Sequence, residues 1–269
     1  MGYFVIIRPI NCVITFLSVL VGAWIGKGIL VLHHVLLAGI VGFCVCAFGN
    51  IINDLYDIEI DRINNPQRPL PAGRVEKRNV IFLAALFFII SAVISMSLGV
   101  VPFLFVLCAL ILLFFYASYI KKTPWSNFMI ALISGASFIL GGLVTKNYAC
   151  TLPFLFSFFI HVPREVIKDI IDIKGDKTAG VASLPIVVGV KQSFNLSALL
   201  LSILCLILPL PFFFTILSTT YMMIVLLLAY PLIIYTIVRL LQSPREYELV
   251  RLSTLLKISM VVGLVAMVT

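Results

Sequence analysis

Apolar runs of about 20 residues recur along almost the whole chain, and they restrict the possible folds more than any other feature. A helix of that length is long enough to cross the hydrocarbon core of a bilayer. We predict nine membrane spans, at residues 9–29, 33–52, 79–98, 101–120, 126–145, 149–168, 191–211, 213–238 and 250–268. The composition agrees, because 62% of the residues are hydrophobic and only 11% are charged, which is unusual for a soluble domain.

These spans leave no room for a separate soluble domain, so we predict a single transmembrane domain over residues 1–269. The first run lacks a charged leader followed by a clear small-residue cleavage site, and we interpret it as a retained helix. The connections are short except for two polar segments, at about residues 53–79 and 168–191. The expected fold is all-α, a polytopic membrane protein with nine transmembrane helices in one bundle and cytoplasmic loop caps over a central cavity.

The basic residues predict how the chain is oriented in the membrane. Of the 19 Lys and Arg residues, only Lys27 and Lys146 fall in loops on the predicted outer side. The positive-inside rule therefore places the N-terminus in the cytoplasm and the C-terminus outside. All 11 Asp and Glu residues fall on the same cytoplasmic side. The net charge of +8 suits this orientation and contact with anionic membrane lipids, and no nucleic-acid partner is expected.

Two aspartate triplets lie 115 positions apart and share a spacing of three and then four residues. They are Asp54, Asp57 and Asp61, followed by Asp169, Asp172 and Asp176. On a helix, positions i, i+3 and i+7 lie on one face, so each triplet is predicted to form a stripe of carboxylates. Like charges that close repel one another unless a cation lies between them. Ionisable residues at membrane depth usually mark function, and a structural cluster of salt bridges is the alternative explanation.

The chemistry of the triplets predicts a magnesium site. Mg²⁺ is a hard cation that binds carboxylate and phosphate oxygens in near-octahedral geometry. Two opposed triplets are expected to bind it together with a diphosphate, whose departing charge it would neutralise. Basic side chains near the triplets are candidates for hydrogen bonds to phosphate oxygens. They are Arg62, Arg68, Lys121, Lys122, Arg164, Lys168 and Lys174. The apolar spans, in a chain with 21 Phe and 9 Tyr residues, are expected to hold a long hydrocarbon tail.

The sequence around both triplets has a recognisable pattern. The first reads Asn53-Asp54-x-x-Asp57-x-x-x-Asp61, followed by Asn65-Pro66-x-Arg68-Pro69-x-Pro71-x-Gly73-Arg74. The second reads Asp172-x-x-x-Asp176, preceded by Arg164-Glu165 and Lys168-Asp169. These patterns resemble the two motifs of the UbiA superfamily of intramembrane prenyltransferases. The nine-span layout, with both motifs on cytoplasmic loops, extends the resemblance over essentially the whole chain.

The resemblance implies Mg²⁺-dependent transfer of a prenyl group from a polyprenyl diphosphate to an acceptor, with release of diphosphate. It also implies that all six aspartates of the triplets serve the metal and act in catalysis. The superfamily often has a Tyr–Lys motif after the fourth span, for which Tyr116, Lys121 and Lys122 are candidates at a different spacing. Asn53 within the motif and Asn50, one turn before Asp54 on the same face, are further candidates for substrate binding.

The acceptor is predicted from two segments, Ile7-Arg8-Pro9-x-Asn11 and the run from Arg68 to Arg74. Both are most similar to the branch of the superfamily that makes archaeal ether lipids. The implied reaction joins a prenyl diphosphate donor to a lipid acceptor, with geranylgeranyl passing to the sn-2 hydroxyl of geranylgeranylglyceryl phosphate. Arg8, Asn11, Lys121 and Lys122 are candidate acceptor contacts.

Two other functions fit part of the pattern. One is a prenyltransferase with an aromatic acceptor, of the quinone, haem or chlorophyll type. The other is a secondary transporter, because intramembrane acids and a faint internal repeat are also found in transporters. Transport is disfavoured because the acids gather at one face, whereas transporters tend to place the coupling site near the bilayer midplane.

Overall fold

The structure, a computed structural model, describes residues 2–25 and 32–269, and every regular element in these residues is a helix. In chain order the α-helices are α1 (Gly2–Ile7), α2 (Pro9–Trp24), α3 (Leu32–Tyr56), α4 (Ile58–Asn64), α5 (Lys77–Met96), α6 (Val100–Ser118), α7 (Ser126–Thr145), α8 (Thr151–Ile171), α9 (Ile173–Thr178), α10 (Leu184–Val188), α11 (Val190–Ile207), α12 (Leu210–Phe213), α13 (Thr219–Ile224), α14 (Tyr230–Leu241) and α15 (Glu246–Ala266). A π-helical segment, Val225–Ala229, joins α13 to α14. The all-α prediction is confirmed.

The predicted number of spans is approximately right. Eight helical segments of the described ranges are long and apolar enough to cross a membrane. The remaining predicted span corresponds to α2, which has 16 residues. Its predicted end at residue 29 lies outside the described residues, as does Lys27. The bounds of α7 coincide with the predicted span 126–145.

The two helix starts that differ most from the prediction are displaced by 6 and 4 residues, and local capping explains both. The span predicted from 213 begins at Thr219, because the Ser218 hydroxyl accepts a hydrogen bond from the backbone N–H of Tyr221 at 3.1 Å. Helix α15 begins before the predicted residue 250, because the Glu248 carboxylate accepts from the backbone N–H of Arg245 at 2.9 Å. The charged residues Glu246 and Glu248 therefore belong to the first turn of this helix.

The helices pack around a central cavity. Buried apolar side chains form one cluster mainly on α8, α11, α14 and α15, and another mainly on α3, α5 and α6. A cavity of about 360 Å³ is lined by members of both clusters. Helix α2 packs closely on α7. The absence of a side chain at Gly22 allows this approach, since a Cβ there would lie only 2.1 Å from the carbonyl oxygen of Phe138.

The outward faces of the bundle are apolar. Phe82, Leu206 and Leu227 are 70–74% exposed, as expected for side chains that face lipid rather than water. In a soluble protein, so much exposed apolar surface would promote aggregation. The outer surface is therefore suited to contact with lipid.

Each aspartate triplet lies across a helix break, which corrects the expectation of a stripe on one continuous helix. Helix α3 ends before Asp57 and α4 follows it, with φ −90° and ψ 2° at Asp57. Helix α8 ends before Asp172 and α9 follows it, with φ −89° and ψ 5° at that residue. The backbone remains close to helical, since the N–H of Asp61 still donates to the carbonyl oxygen of Asp57 at 2.7 Å. The two motifs therefore share one backbone shape.

Candidate active site

Asn64 joins the two aspartate motifs directly. Its side-chain amide donates to the backbone carbonyl of Asp172 at 3.1 Å and accepts from the backbone N–H of Gly175 at 3.1 Å. Gly175 makes room for this contact, because a Cβ there would lie 2.2 Å from the Asn64 amide oxygen. The Asn64 side chain is thus bonded to two residues that lie 108 and 111 positions further along the chain.

The three carboxylates of the first motif are buried, and each is paired with a cation from elsewhere in the chain. Asp54, Asp57 and Asp61 are only 4–5% exposed. Arg8 pairs with Asp54, Lys121 pairs with Asp57, and an Arg68 guanidinium nitrogen lies 2.6 Å from Asp61. Arg68 also approaches Asp54 at 3.8 Å. The cations offset the mutual repulsion of three acids placed this closely.

The second motif is less compensated. Burial raises the pKa of Asp172 above its ordinary value. Burial and the neighbouring charge of Asp172 raise the pKa of Asp176 to about 6. Both carboxylates therefore lie where an added cation would stabilise their charged forms.

The donor atoms suit Mg²⁺, although the side chains would have to rearrange to bind it. Asp169 Oδ2 and Asn53 Oδ1 are buried and have no hydrogen-bond partner within the described part of the chain. Buried oxygens of this kind normally have a partner. Together with the other carboxylates they supply the hard oxygen ligands that Mg²⁺ takes. In residues 2–25 and 32–269, no three carboxylates converge closely enough to hold an ion in their present rotamers.

Most of the predicted site residues line the one central cavity. They are Arg8, Asn11, Asn50, Asn53, Asp57, Asp61, Arg68, Tyr116, Lys121, Lys122, Arg164, Lys168, Asp169, Asp172 and Asp176. Asp54 lies behind this lining and contacts it through Arg8 and Arg68. Lys174 is exposed on α9 and Arg62 pairs with Glu59 on the surface, so the structure does not bring these two cations to the cavity.

The structure also distinguishes among the Tyr and Asn candidates. Tyr116 is buried against the cavity at the end of α6, whereas Tyr119 is 68% exposed. The Asn50 side chain donates to the backbone carbonyl of Ile7 at 2.9 Å, and in this way it fixes α1 against α3. Asn50 therefore positions the segment that carries Arg8.

One face of α8 supplies further polar groups that were not predicted as site residues. His161 and Glu165 line the cavity between Ser157 and Asp169 at the spacing of one helical turn. The Nδ1 atom of His161 lies 2.8 Å from the Ser157 carbonyl oxygen, which can only accept. The Nδ1 atom therefore carries a hydrogen and donates it to that carbonyl oxygen.

Lys257 and Asn64 were missed for different reasons. Lys257 falls within the predicted span 250–268, and the structure places it on α15 in the lining of the cavity. Its ammonium donates to the Asn11 amide oxygen at 3.0 Å. Asn64 was placed only in a polar loop, although it stands between Asp61 and the Asn65-Pro66 pair of the first motif. A lysine in the middle of an apolar run is the signal that identifies the first of these.

Comparison with known proteins confirms the resemblance to the UbiA superfamily over almost the full length of the chain. Residues 15–260 match the sequence profile of the UbiA prenyltransferase family. The digeranylgeranylglyceryl phosphate synthase of Methanosphaera stadtmanae is 33% identical over 267 residues, which cover 98% of this chain and 97% of that protein.

Two solved structures have the same architecture. A structure of digeranylgeranylglyceryl phosphate synthase superposes with a TM-score of 0.78 at 34% identity, and covers 99% of this chain and 96% of the other. A UbiA homolog from Archaeoglobus fulgidus, bound to GPP and Mg²⁺, superposes with a TM-score of 0.70 and covers 100% of both chains. At 19% identity, the second comparison shows a common fold.

Proposed function

The chain belongs to the UbiA prenyltransferase family, and from this premise we propose that it transfers a geranylgeranyl group from geranylgeranyl diphosphate to the sn-2 hydroxyl of geranylgeranylglyceryl phosphate, releasing diphosphate. The observation that carries the proposal is the Asn64 contact, which assembles both aspartate motifs over one cavity. The choice of acceptor is supported by the full-length similarity to digeranylgeranylglyceryl phosphate synthases.

Magnesium is the metal that the donor set fits best. We propose that the carboxylates of Asp54, Asp57 and Asp61 and those of Asp169, Asp172 and Asp176 hold Mg²⁺ from two sides. When bound, Mg²⁺ neutralises charge on the departing diphosphate. The homologue structure with GPP and Mg²⁺ supports this assignment.

Cations of the first motif have a second role in this proposal. Arg8, Arg68 and Lys121 can exchange their carboxylate partners for phosphate oxygens when the donor binds, because they already line the cavity. Their hydrogen bonds then strengthen as negative charge develops on the leaving diphosphate. The same three residues therefore compensate the acids before binding and orient the donor after it.

The reaction is expected to proceed by ionisation of the donor before attack by the acceptor. An alcohol is a weak nucleophile at neutral pH, so the allylic carbon–oxygen bond is expected to break first and the hydroxyl oxygen to capture the allylic cation. Leu113, Phe105 and Phe156 line the cavity and keep water away from that cation. As the new ether bond forms, the hydroxyl proton passes to an oxygen of the released diphosphate, so the products are the diprenylated lipid and protonated diphosphate.

The proposed reaction is tested by product analysis. Purified protein with labelled geranylgeranyl diphosphate and Mg²⁺ is expected to convert geranylgeranylglyceryl phosphate into a doubly prenylated lipid. 4-Hydroxybenzoate in a parallel reaction is expected to give no product. Chromatography of the lipid fraction separates the doubly prenylated lipid from any prenylated benzoate. Transfer to the benzoate without transfer to the glyceryl phosphate would overturn the acceptor assignment.

We further propose that the N-terminus and the site face the cytoplasm. This orientation is supported by the concentration of Lys and Arg on the side of the aspartate motifs. Thr178 is exposed on α9 at that side, and Tyr148 is 86% exposed before α8 at the other end.

Thiol labelling tests the orientation. In a Cys108→Ser background, which removes the one exposed cysteine of the described residues, a membrane-impermeant maleimide is applied to intact cells. The Tyr148→Cys variant is expected to react at once, and the Thr178→Cys variant only after permeabilisation. The reverse pattern would invert the proposed topology.

A further inference from the structure

The proposed acceptor carries a phosphate of its own, so the cavity must bind two anionic groups. Arg8, Lys121 and Arg68 pair with Asp54, Asp57 and Asp61, and in the proposed function they turn to the donor diphosphate when it binds. A second anion needs positive charge that these pairs do not provide. A separate group of cations in the same cavity supplies it.

We propose that Lys257, together with Arg164 and Asn11, binds the phosphate monoester of the acceptor. This inference rests on the proposed function and assigns a site for the second substrate. The three residues come from α15, α8 and α2, and α15 packs against both of the other helices. All three line the cavity.

Lys257 is placed where a cation needs an anionic ligand. It follows the first residue of α15 by 11 positions, which corresponds to roughly 16 Å along the helix axis. Its ammonium has three N–H donors, and Asn11 accepts one of them at 3.0 Å. In residues 2–25 and 32–269, no carboxylate forms a salt bridge with Lys257. Two donors therefore remain for a ligand in the cavity, where an uncompensated charge is unfavourable.

Arg164 adds a guanidinium that is only partly satisfied. One of its terminal nitrogens donates to the Glu165 carboxylate at 2.9 Å, and Lys168 donates to the same oxygen at 2.6 Å. The Nε atom of Arg164 is buried and has no partner within the described ranges. One carboxylate thus serves two cations, and Lys257 brings the local total to three cations and one acid.

The local charge matches a phosphate monoester. With Asp169 assigned to Mg²⁺, the charges of Arg164, Lys168, Lys257 and Glu165 sum to +2, and a phosphate monoester carries about −1.5 to −2 at pH 7. A carboxylate acceptor would neutralise only half of that charge. The cluster therefore favours a phosphorylated lipid over an aromatic acid.

The same face of α15 offers a path for the acceptor's hydrocarbon chain. Met260, Gly263, Leu264 and Met267 line the cavity at helical spacing from Lys257. These side chains form an apolar strip that begins at the ammonium. A prenylglyceryl phosphate has the same order of parts, with an anionic end followed by an apolar chain.

Steady-state kinetics with each substrate varied in turn tests the assignment. Lys257→Met keeps the length of the side chain and removes its charge, and it is expected to raise the acceptor KM about tenfold or more. The donor KM and kcat are expected to stay within about twofold of wild type, because the aspartate motifs are unchanged. Lys257→Arg is expected to recover most of the acceptor affinity. Lys191→Met, at an exposed position outside the cavity, is the matched control.

A second acceptor separates binding of phosphate from an effect on folding. With geranylgeranylglycerol, which lacks the phosphate, wild type and Lys257→Met are expected to have the same kcat/KM. An unchanged KM for geranylgeranylglyceryl phosphate, or an equal rise in the donor KM, would overturn the Lys257 site while the proposed reaction stands. Failure of the wild type to use geranylgeranylglyceryl phosphate at all would overturn both.

Discussion

Replacing Asp57 or Asp172 by asparagine is expected to lower kcat/KM by at least about 100-fold, because each substitution removes one charge from a site that stabilises a departing diphosphate. The two residues lie in different motifs but line the same cavity. Chelation with EDTA is expected to abolish transfer in the wild type, and added Mg²⁺ to restore it. Rates of product formation in detergent micelles measure all of these effects.

The matched control for these variants is Glu76→Gln. Glu76 is exposed before α5 and does not line the cavity, so loss of its charge is expected to leave kcat/KM unchanged. Thermal unfolding of each variant separates a chemical effect from a folding defect. A folded Asp172→Asn variant with a rate within about threefold of wild type would exclude the second motif from the site.

Gly175→Ala is expected to lower kcat/KM by roughly 10- to 100-fold, although Gly175 carries no functional group. A Cβ at this position would lie 2.2 Å from the Asn64 amide oxygen, so the Asn64 side chain would have to move and give up the two hydrogen bonds that join the motifs. Displacement of catalytic groups by about 1 Å commonly has an effect of this size. The measurement is the rate of transfer at saturating and at limiting donor.

A double-mutant cycle distinguishes this mechanism from general destabilisation. Asn64→Ala removes the amide that the new methyl group would meet, together with its two hydrogen bonds. If the contact is the cause, Gly175→Ala is expected to have little further effect in the Asn64→Ala background. Full additivity of the two substitutions would show that Gly175 acts through something other than Asn64.

The sequence predicted the architecture well because the length of an apolar run is fixed by the bilayer. Span 126–145 matches α7 at both ends. The helix starts at Thr219 and Glu246 were predicted wrongly because each depends on a single capping hydrogen bond, which a hydropathy pattern does not reveal. The helix breaks at Asp57 and Asp172 were also not predictable, because neither aspartate is adjacent to a proline or a glycine.

The candidate site was predicted in part because acids in an apolar chain are conspicuous. Spacing identified both triplets, but it gave no information on which cation meets which acid. Arg8 and Lys121 reach Asp54 and Asp57 from positions 46 and 64 residues away, so their pairing depends on the packing of whole helices. The same holds for Lys257, which meets Asn11 across 246 residues. Tertiary contacts of this kind have no local signature in the sequence.

The central claim is that both aspartate motifs hold the donor diphosphate jointly through Mg²⁺. Calorimetric titration with geranylgeranyl thiolodiphosphate, an analogue that does not ionise readily, measures this without turnover. We expect binding to the wild type in Mg²⁺, and loss of binding in EDTA and in both Asp57→Asn and Asp172→Asn. Undiminished affinity in EDTA, or in either variant, would contradict the claim.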